Sequence, residues 1–348
     1  MTPISISSAV EGIRAFYPTM QTETIVYIVI TILFILFTIQ QFGTKFIGKF
    51  FGPVMFVWFA MLGGLGLIQT INNVDILSAL NPYYAYKLLS VHGGYLYLGA
   101  VFLCTTGAEA LYSDLGHCGR QNIRITWIFV KSALLINYLG QGAWLMHQGD
   151  AFLKGQNPFY AIMPEWFLIV GIVIATLAAI IASQALISGS FTLINEAISL
   201  NFWPRVALKH PTNLKGQIYI PSVNTILWIG CVLMILYFKN SAHMEAAYGF
   251  SITVAMMMTS LLLAYYLFFI KKIKIGWIAL MLTVFALIEV SFFMANIVKI
   301  KERWMFLFFE VFIFLVMYVW YKARKINNKL VNFIDLRHYI SRITELSE

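Results

Sequence analysis

The sequence predicts an all-α protein that crosses the membrane many times. Of its 348 residues, 60% are hydrophobic and only 11% are charged, which leaves too little polar surface to cover a soluble domain. Apolar runs of about 18 to 25 residues recur along the chain, and each is long enough to cross a hydrocarbon core about 30 Å thick. The formal charge of +9 is dispersed between these runs, which argues against a nucleic-acid partner and indicates topology signals instead.

The apolar runs divide the chain into membrane segments in a clear order. Residues 1–18 resemble the end of a helix. The full spans predicted after them are Ile25–Ile39, Phe51–Ile71, Tyr95–Leu115, Ile123–Met146, Glu165–Ile187, Ile218–Phe238, Ala246–Ile270, Ile275–Val298 and Trp304–Trp320. Between them, Asn72–His92 is expected to carry a short helix and Ser188–Gly216 to form the longest polar loop. Gly63, Gly64 and Gly66 predict close helix packing in lipid.

The Lys and Arg residues between spans predict the orientation. One set of loops, together with the tail, holds sixteen of them, and the other set holds seven. The positive-inside rule therefore places the first set and the C-terminal tail in the cytoplasm. With residues 1–18 counted as one segment, ten segments put the N-terminus on the same side.

A candidate cation site lies in the segment Thr105-Thr106-Gly107-Ala108-Glu109. A carboxylate within an apolar span is functional by default. Thr105 and Thr106 would share its face if the helix were continuous, and Gly107 permits a helix break between them. Such oxygen-rich breaks suit K⁺, and transporters commonly bind ions where membrane helices are interrupted. A structural, half-buried acid at the membrane edge is the alternative interpretation of Glu109.

Other functional classes find less support. Glu289 lies in the apolar run Trp277–Phe293, where a carboxylate needs protonation or a partner, from Lys131 or another helix. The three cysteines have no metal-ligand or disulfide spacing. No phosphate-binding loop, nucleophile elbow or His-Glu-x-x-His pair occurs, so the sequence does not predict an enzyme or a bound cofactor.

Several motifs resemble one family. The run Gly107-Ala108-Glu109-Ala110-Leu111-Tyr112-Ser113-Asp114-Leu115-Gly116-His117-Cys118-Gly119-Arg120 is similar to the signature of the KUP/HAK/KT potassium uptake permeases. Further matches follow the family order: Ser8-Ala9-Val10-Glu11-Gly12, Asn137-Tyr138-Leu139-Gly140-Gln141-Gly142-Ala143, Gly216-Gln217-Ile218-Tyr219-Ile220-Pro221-Ser222-Val223-Asn224 and Ala247-Tyr248-Gly249.

The resemblance implies a LeuT-like core, an inverted five-plus-five repeat with two extra helices, whose first and sixth helices are unwound midway. Tyr95–Leu115 then corresponds to the sixth helix and residues 1–18 to the end of the third. The chain would lack the first two helices, with residues 1–320 forming the transporter core and residues 321–348 beginning a cytoplasmic region. It would be a permease truncated at both ends.

The resemblance also implies site residues and partners. Glu109 and Thr106 match the family's sixth-helix cation ligands, Ser5 a third-helix hydroxyl and Tyr248 a tenth-helix tyrosine. Glu11 is either a proton or cation relay or a solvated helix-end acid. The expected activity is K⁺/H⁺ symport by alternating access in a multi-pass protein of the cell membrane. The expected partners are potassium ion, proton and membrane lipid, with no cofactor; a homodimer is left open.

Two other functions stay open at this point. An amino-acid or other solute symporter of the same fold would aim helix N-termini at a substrate carboxylate and would not carry an acid in the sixth-helix break. A gene fragment that transports nothing, or a membrane partner of another chain, is favoured by the absence of the first helix.

Overall fold

The computed structural model describes residues 1–17, 19–43, 48–91, 93–107, 120–148, 156–209, 218–299 and 304–330. Regular structure in these ranges is helical, apart from one antiparallel bridge between Lys209 and Tyr219. The α-helices are α1 (Thr2–Glu11), α2 (Thr22–Ile39), α3 (Gly48–Asn72), α4 (Pro82–Ser90), α5 (Leu98–Thr105), α6 (Arg120–Gln148), α7 (Pro158–Ala161), α8 (Glu165–Ser199), α9 (Pro221–Phe238), α10 (Ser241–Phe269), α11 (Ile275–Lys299) and α12 (Trp304–Leu330).

Seven helices in the described ranges are long and apolar enough to cross a membrane. They are Thr22–Phe42, Gly48–Asn72, Gln121–Gln148, Glu165–Ser199, Pro221–Phe238, Ser241–Phe269 and Ile275–Val298. Their outward faces carry large apolar side chains, such as Trp166, Leu262 and Leu287, each more than two-thirds exposed. A face of this kind is stable only against lipid or another apolar surface. The chain is therefore a polytopic α-helical membrane protein, as predicted.

The chain divides into two compact units. The larger comprises Met1–Thr192 and Ala207–Trp304 and contains α1 to α7, α9, α10 and α11. The smaller comprises Leu193–Val206 and Met305–Glu348. Within the smaller unit the rings of Phe202 and Tyr321 stack with centroids 5.0 Å apart. The candidate site residues that the structure describes all belong to the larger unit.

Glycines bring α3 and α6 into backbone contact. A Cβ atom placed on Gly66 would lie 2.5 Å from the Asn137 Cα atom, and one placed on Gly140 would lie 2.4 Å from the Gly66 carbonyl oxygen. Gly63 makes an ordinary contact with Ala133, whereas Gly64 faces open space. The predicted glycine-mediated packing is present, and Gly66 and Gly140 account for it.

The short helix α7 packs against α1 and the hydrophobic core. The ring of Tyr160 is buried in a cluster with Met61, Leu65 and Ile172, and its hydroxyl donates a 3.0 Å hydrogen bond to the carbonyl oxygen of Ala9. A Cβ atom on Gly12 would lie 2.2 Å from the Tyr160 Cζ atom, so this approach requires glycine. The phenol of Tyr160 thereby fixes the C-terminal half of α1.

Buried amides join α2 to α8 and α9. Gln40 and Gln184 exchange two side-chain hydrogen bonds, and both side chains are buried. Asn224 of α9 donates a 3.1 Å bond to the carbonyl oxygen of Phe37. Because an unpaired amide is costly away from water, the reciprocal pair of glutamines and the single bond from Asn224 hold the three helices in one register.

One predicted boundary was wrong. The segment Ser188–Gly216 does not start as a loop, because α8 continues from Glu165 to Ser199. Its hydroxyls bond back to carbonyl oxygens four residues earlier, at 2.9 Å from Ser190 to Leu186 and 3.0 Å from Ser199 to Asn195, so they are satisfied without ending the helix. The span Tyr95–Leu115 is interrupted, as Gly107 led us to expect, since α5 ends at Thr105.

Candidate cation-binding site

The helix break predicted near Glu109 lies at Thr106 and Gly107. Thr106 has extended backbone angles, φ −78° and ψ 170°, directly after the last residue of α5. Gly107 has φ +117°, a conformation that L-residues with a side chain rarely adopt. The glycine therefore allows the chain to leave the helix within an apolar segment.

Three side chains donate to the last carbonyl oxygens of α5. The Thr105 and Thr106 hydroxyls donate to the carbonyl oxygens of Phe102 and Leu103, each at 2.9 Å. The hydroxyl of Tyr138 on α6 approaches the Cys104 carbonyl oxygen at 3.4 Å. A helix C-terminus carries partial negative charge, and a hydroxyl that donates one hydrogen bond keeps lone pairs for a cation. The end of α5 is thus a cluster of neutral oxygen atoms suited to K⁺.

Glu109 lies outside the described residues. The expectation that Thr105, Thr106 and Glu109 share one helical face requires a continuous helix, and α5 ends before Thr106. Thr106 consequently belongs to the break itself. The role of Glu109 as a charged ligand stays a prediction from sequence.

Ser5 lies in a different environment from Thr106. It is half-buried on α1 and lines a cavity of about 400 Å³ among α1, α3, α6, α7 and α8. The other residues that line the cavity are Ser8, Ala9, Met55, Trp58, Leu62, Leu134, Asn137, Asn157, Phe159, Tyr160, Ala175, Ala178, Ala179 and Ala182. Thr106 and Tyr248, which the structure also describes, do not line this cavity.

Tyr248 is half-buried on α10, between buried Ala247 and Gly249. Helix α10 contacts both α1 and α5. It therefore connects the helix that carries Ser5 with the helix that ends at Thr105, directly before Thr106.

Glu11 joins the ends of α1 and α10. Its Oε1 atom accepts a 3.0 Å hydrogen bond from the backbone N–H of Ser241, and its Oε2 atom accepts a 2.6 Å bond from the Ser241 hydroxyl. From this junction, a rise of about 1.5 Å per residue places Ser5 about 9 Å along α1 and Tyr248 about 10 Å along α10. The two residues thus lie at similar distances from a shared fixed point.

Glu11 is not the solvated helix-end acid that one interpretation of the sequence suggested, and its role as a relay stays a prediction. Its carboxylate is half-buried and caps the first turn of α10, where negative charge is favourable. Asn240 completes the cap with a 3.0 Å bond from the Ala242 N–H to its Oδ1 atom. Glu11 and Ser241 are 230 residues apart, so no local sequence signal could have revealed this contact.

Glu11 also influences Tyr160. Burial raises the pKa of the Tyr160 phenol, and the negative charge of Glu11 raises this pKa further. The phenol therefore stays protonated at physiological pH and remains a donor to Ala9. The helix end that carries Glu11 is held from two sides, by α7 and by α10.

Glu289 has a hydrogen-bond partner on another helix. The sequence had left open whether its partner would be Lys131 or a residue of another helix. The hydroxyl of Ser260 on α10 donates a 2.5 Å hydrogen bond to the Oε1 atom of Glu289 on α11, and both side chains are buried. The ammonium group of Lys131, the alternative source, lies 5.0 Å from the ring centre of Trp127. Glu289 therefore belongs to the contact between α10 and α11.

In the ranges that the structure describes, no group of three or more His, Cys, Asp or Glu residues could hold a metal ion. The oxygen atoms at the end of α5 come from backbone carbonyls and hydroxyls instead. Neutral oxygen ligands suit a cation that binds and leaves, because conduction and transport need binding that is not too tight.

Comparisons with known proteins agree with the motifs. The family model described as the K⁺ potassium transporter integral membrane domain matches residues 1–325. Proteins named "Probable potassium transport system protein Kup" are 60% identical in Flavobacterium johnsoniae, 52% in Cytophaga hutchinsonii and 47% in Clostridium perfringens, each over 99% of this chain. These matches cover 54%, 53% and 55% of the relatives, so the chain spans about half the length of the curated relatives it matches.

The named relatives are transport proteins and not enzymes. The chain belongs to the KUP/HAK/KT family of potassium transporters.

Proposed function

We propose that this chain takes part in potassium uptake across the cell membrane. The observation that carries the proposal is the interrupted helix α5, whose carbonyl oxygens and threonine hydroxyls gather at Thr106 within an apolar segment. The names of the relatives support K⁺ as the transported ion.

The proposed site combines neutral and charged oxygen ligands. Thr106 supplies a hydroxyl at the break, Glu109 supplies the negative charge, and Ser5 and Tyr248 supply hydroxyls from α1 and α10. The contacts of α10 with both α1 and α5 favour this assembly. A partly dehydrated K⁺ exchanges its water for these oxygen atoms, as it does where other transporters interrupt their helices.

The proposed mechanism is alternating access in a LeuT-like fold, with a proton as the coupling ion. The fold and the coupling ion rest on the family resemblance. Glu11 is the candidate proton relay, because protonation of its carboxylate would weaken the cap that joins α1 to α10. The C-terminal tail is proposed to lie in the cytoplasm, in line with the distribution of Lys and Arg.

Uptake of ⁸⁶Rb⁺ or K⁺ into K⁺-depleted cells tests the function. Two proteins are compared with empty-vector cells: the chain itself, and the chain extended to the length of the Flavobacterium johnsoniae relative with that relative's sequence. We expect the extended protein to restore uptake. No uptake above empty-vector cells by either protein, at verified membrane abundance, would overturn the proposal.

A matched pair of tyrosines tests the site. Tyr248→Ala should raise the apparent KM for K⁺ more than Tyr266→Ala does, because Tyr266 lies on the same helix five turns further along and 41% exposed. Equal effects of the two substitutions would remove Tyr248 from the site.

A further inference from the structure

Gly249, the residue after Tyr248, lies directly against Asn296 of α11. A Cβ atom placed on Gly249 would lie 2.8 Å from the Oδ1 atom of Asn296 and 3.2 Å from its Cγ atom. Both values are shorter than ordinary van der Waals contact between such atoms. Glycine at position 249 therefore permits α10 and α11 to meet at this point.

The amide of Asn296 is buried and hydrogen-bonded to its own helix. Its side chain is fully buried, and its Nδ2 atom donates a 3.0 Å hydrogen bond to the carbonyl oxygen of Phe292 on its own helix. Within the described residues its Oδ1 atom has no hydrogen-bond partner. A buried carbonyl oxygen without a partner is costly, so only the Nδ2 side of this amide contributes favourable hydrogen bonding.

A second polar contact fixes the same pair of helices. The hydrogen bond from Ser260 to Glu289 lies eleven residues further along α10 and seven residues back along α11. With two fixed points, α10 cannot slide or rotate on α11 without breaking one of them. The direction in which the Tyr248 side chain leaves α10 is therefore set by the packing of α10 on α11.

We infer that Gly249 and Asn296 form a positioning contact that sets the hydroxyl of Tyr248 for K⁺. This inference rests on the proposed role of Tyr248 as a cation ligand. Ligand groups need placement within about 0.5 Å. A methyl group at position 249 would lie 2.8 Å from the Asn296 Oδ1 atom, short of the 3.4 Å of ordinary contact, so the two helices would have to separate by a comparable distance. Neither Gly249 nor Asn296 touches the ion; both act through Tyr248.

Kinetics of K⁺ uptake by the extended protein test the contact. Gly249→Ala should raise the apparent KM for K⁺ about tenfold, with the maximal rate and membrane abundance little changed, because overpacking displaces the ligand. Adding Asn296→Ala removes the obstructing amide and should return KM to within about twofold of the parent. Gly230→Ala on α9 is the matched control, since a Cβ atom there meets nothing within 4 Å.

The outcomes separate this inference from the proposed function. If Tyr248→Ala impairs uptake while Gly249→Ala keeps the parental KM, the positioning contact is wrong and the site stands. Failure of Asn296→Ala to rescue Gly249→Ala also overturns the contact. If Tyr248→Ala keeps the parental KM, Tyr248 is not a ligand, and both its place in the proposed site and the positioning contact are overturned.

A measurement independent of transport completes the test. A cysteine replaces Tyr248 in a protein whose Cys104, Cys118 and Cys231 are serine, and its rate of reaction with a small thiol reagent is measured. Gly249→Ala should change this rate at least about threefold, and Asn296→Ala should restore it. An unchanged rate in the Gly249→Ala protein would overturn the contact even if neither protein transports K⁺.

Discussion

The carboxylate of Glu11 caps the helix that begins at Ser241, with hydrogen bonds of 3.0 Å to the backbone N–H and 2.6 Å to the hydroxyl. This contact joins the end of α1 to the start of α10 across 230 residues of sequence. Since Ser5 and Tyr248 lie on these two helices, the contact fixes two of the proposed site residues relative to one point.

Substitutions at the cap should destabilise the protein. Glu11→Gln keeps one acceptor but removes the charge at the helix N-terminus, and Ser241→Ala removes the 2.6 Å bond. We expect each to lower the free energy of unfolding by about 1–2 kcal/mol. Thermal unfolding in detergent measures the effect.

The double variant decides whether the two residues act together. Because both changes remove parts of one contact, the double variant should lose less stability than the two single losses added. Strict additivity would contradict the cap. If Glu11 also relays protons, Glu11→Gln should flatten the pH dependence of K⁺ uptake, whereas Ser241→Ala should not.

Tyr160 should make stability depend on pH in the alkaline range. Its pKa in the folded protein is raised above the ordinary value of about 10 by burial and by Glu11. Above that ordinary value the unfolded chain loses the phenol proton while the folded protein keeps it, so stability falls as pH rises beyond about 10. Below about pH 10 the phenol is protonated in both states, so Tyr160 makes its full contribution to stability.

Tyr160→Phe should therefore reduce the loss of thermal stability between pH 9 and pH 11, although it removes the bond to Ala9 and lowers stability at pH 8. Tyr27→Phe, at a tyrosine 69% exposed on α2, is the control and should follow the parent protein. A Tyr160→Phe protein whose stability falls with pH as steeply as the parent's would contradict this account.

The contact of α3 with α6 should tolerate no side chain at two glycines. Gly66→Ala and Gly140→Ala place a methyl group 2.4–2.5 Å from backbone atoms of the facing helix. We expect a loss of about 1–3 kcal/mol of stability from each, since a backbone cannot swing aside. Gly64→Ala is the matched control, because nothing lies within 4 Å of its Cβ position. Equal melting temperatures for Gly64→Ala and Gly66→Ala would show that the helices do not meet there.

Local sequence properties predicted most of the membrane-spanning helices. Hydropathy and length are sufficient for spans such as Ile275–Val298, which the structure gives as Ile275–Lys299. Gly107 predicted the end of α5 because its lack of a side chain permits φ +117°. The extension of α8 to Ser199 was missed, since hydroxyl groups that bond to their own helix look polar in sequence.

Contacts between distant residues could not be predicted in the same way. The pairing of Glu11 with Ser241, and of Gly249 with Asn296, depends on how whole helices pack. The residues around the break identified Thr106 as a candidate, and the family resemblance identified Tyr248, but neither gave a reason for the glycine that follows Tyr248. Glu109 lies outside the described residues, and its assignment rests on its place after the break.

We propose that a charged cation site follows the break in α5, and Glu109→Gln tests this site most directly. The substitution keeps the shape of the side chain and removes its charge. At an effective dielectric constant near 20, loss of an ion–carboxylate attraction at close range costs a few kcal/mol, so KM for K⁺ should rise about a hundredfold or more. Thr106→Val should raise it less, because one neutral oxygen is lost and the charge stays.

The measurement is concentration-dependent K⁺ or ⁸⁶Rb⁺ uptake by the extended protein in K⁺-depleted cells, at matched membrane abundance. Glu165→Gln, an exposed acid in the first turn of α8, is the control and should keep the parental KM. We predict a large rise in KM for Glu109→Gln and no change for Glu165→Gln. Uptake by Glu109→Gln with the parental KM and maximal rate would contradict the assignment.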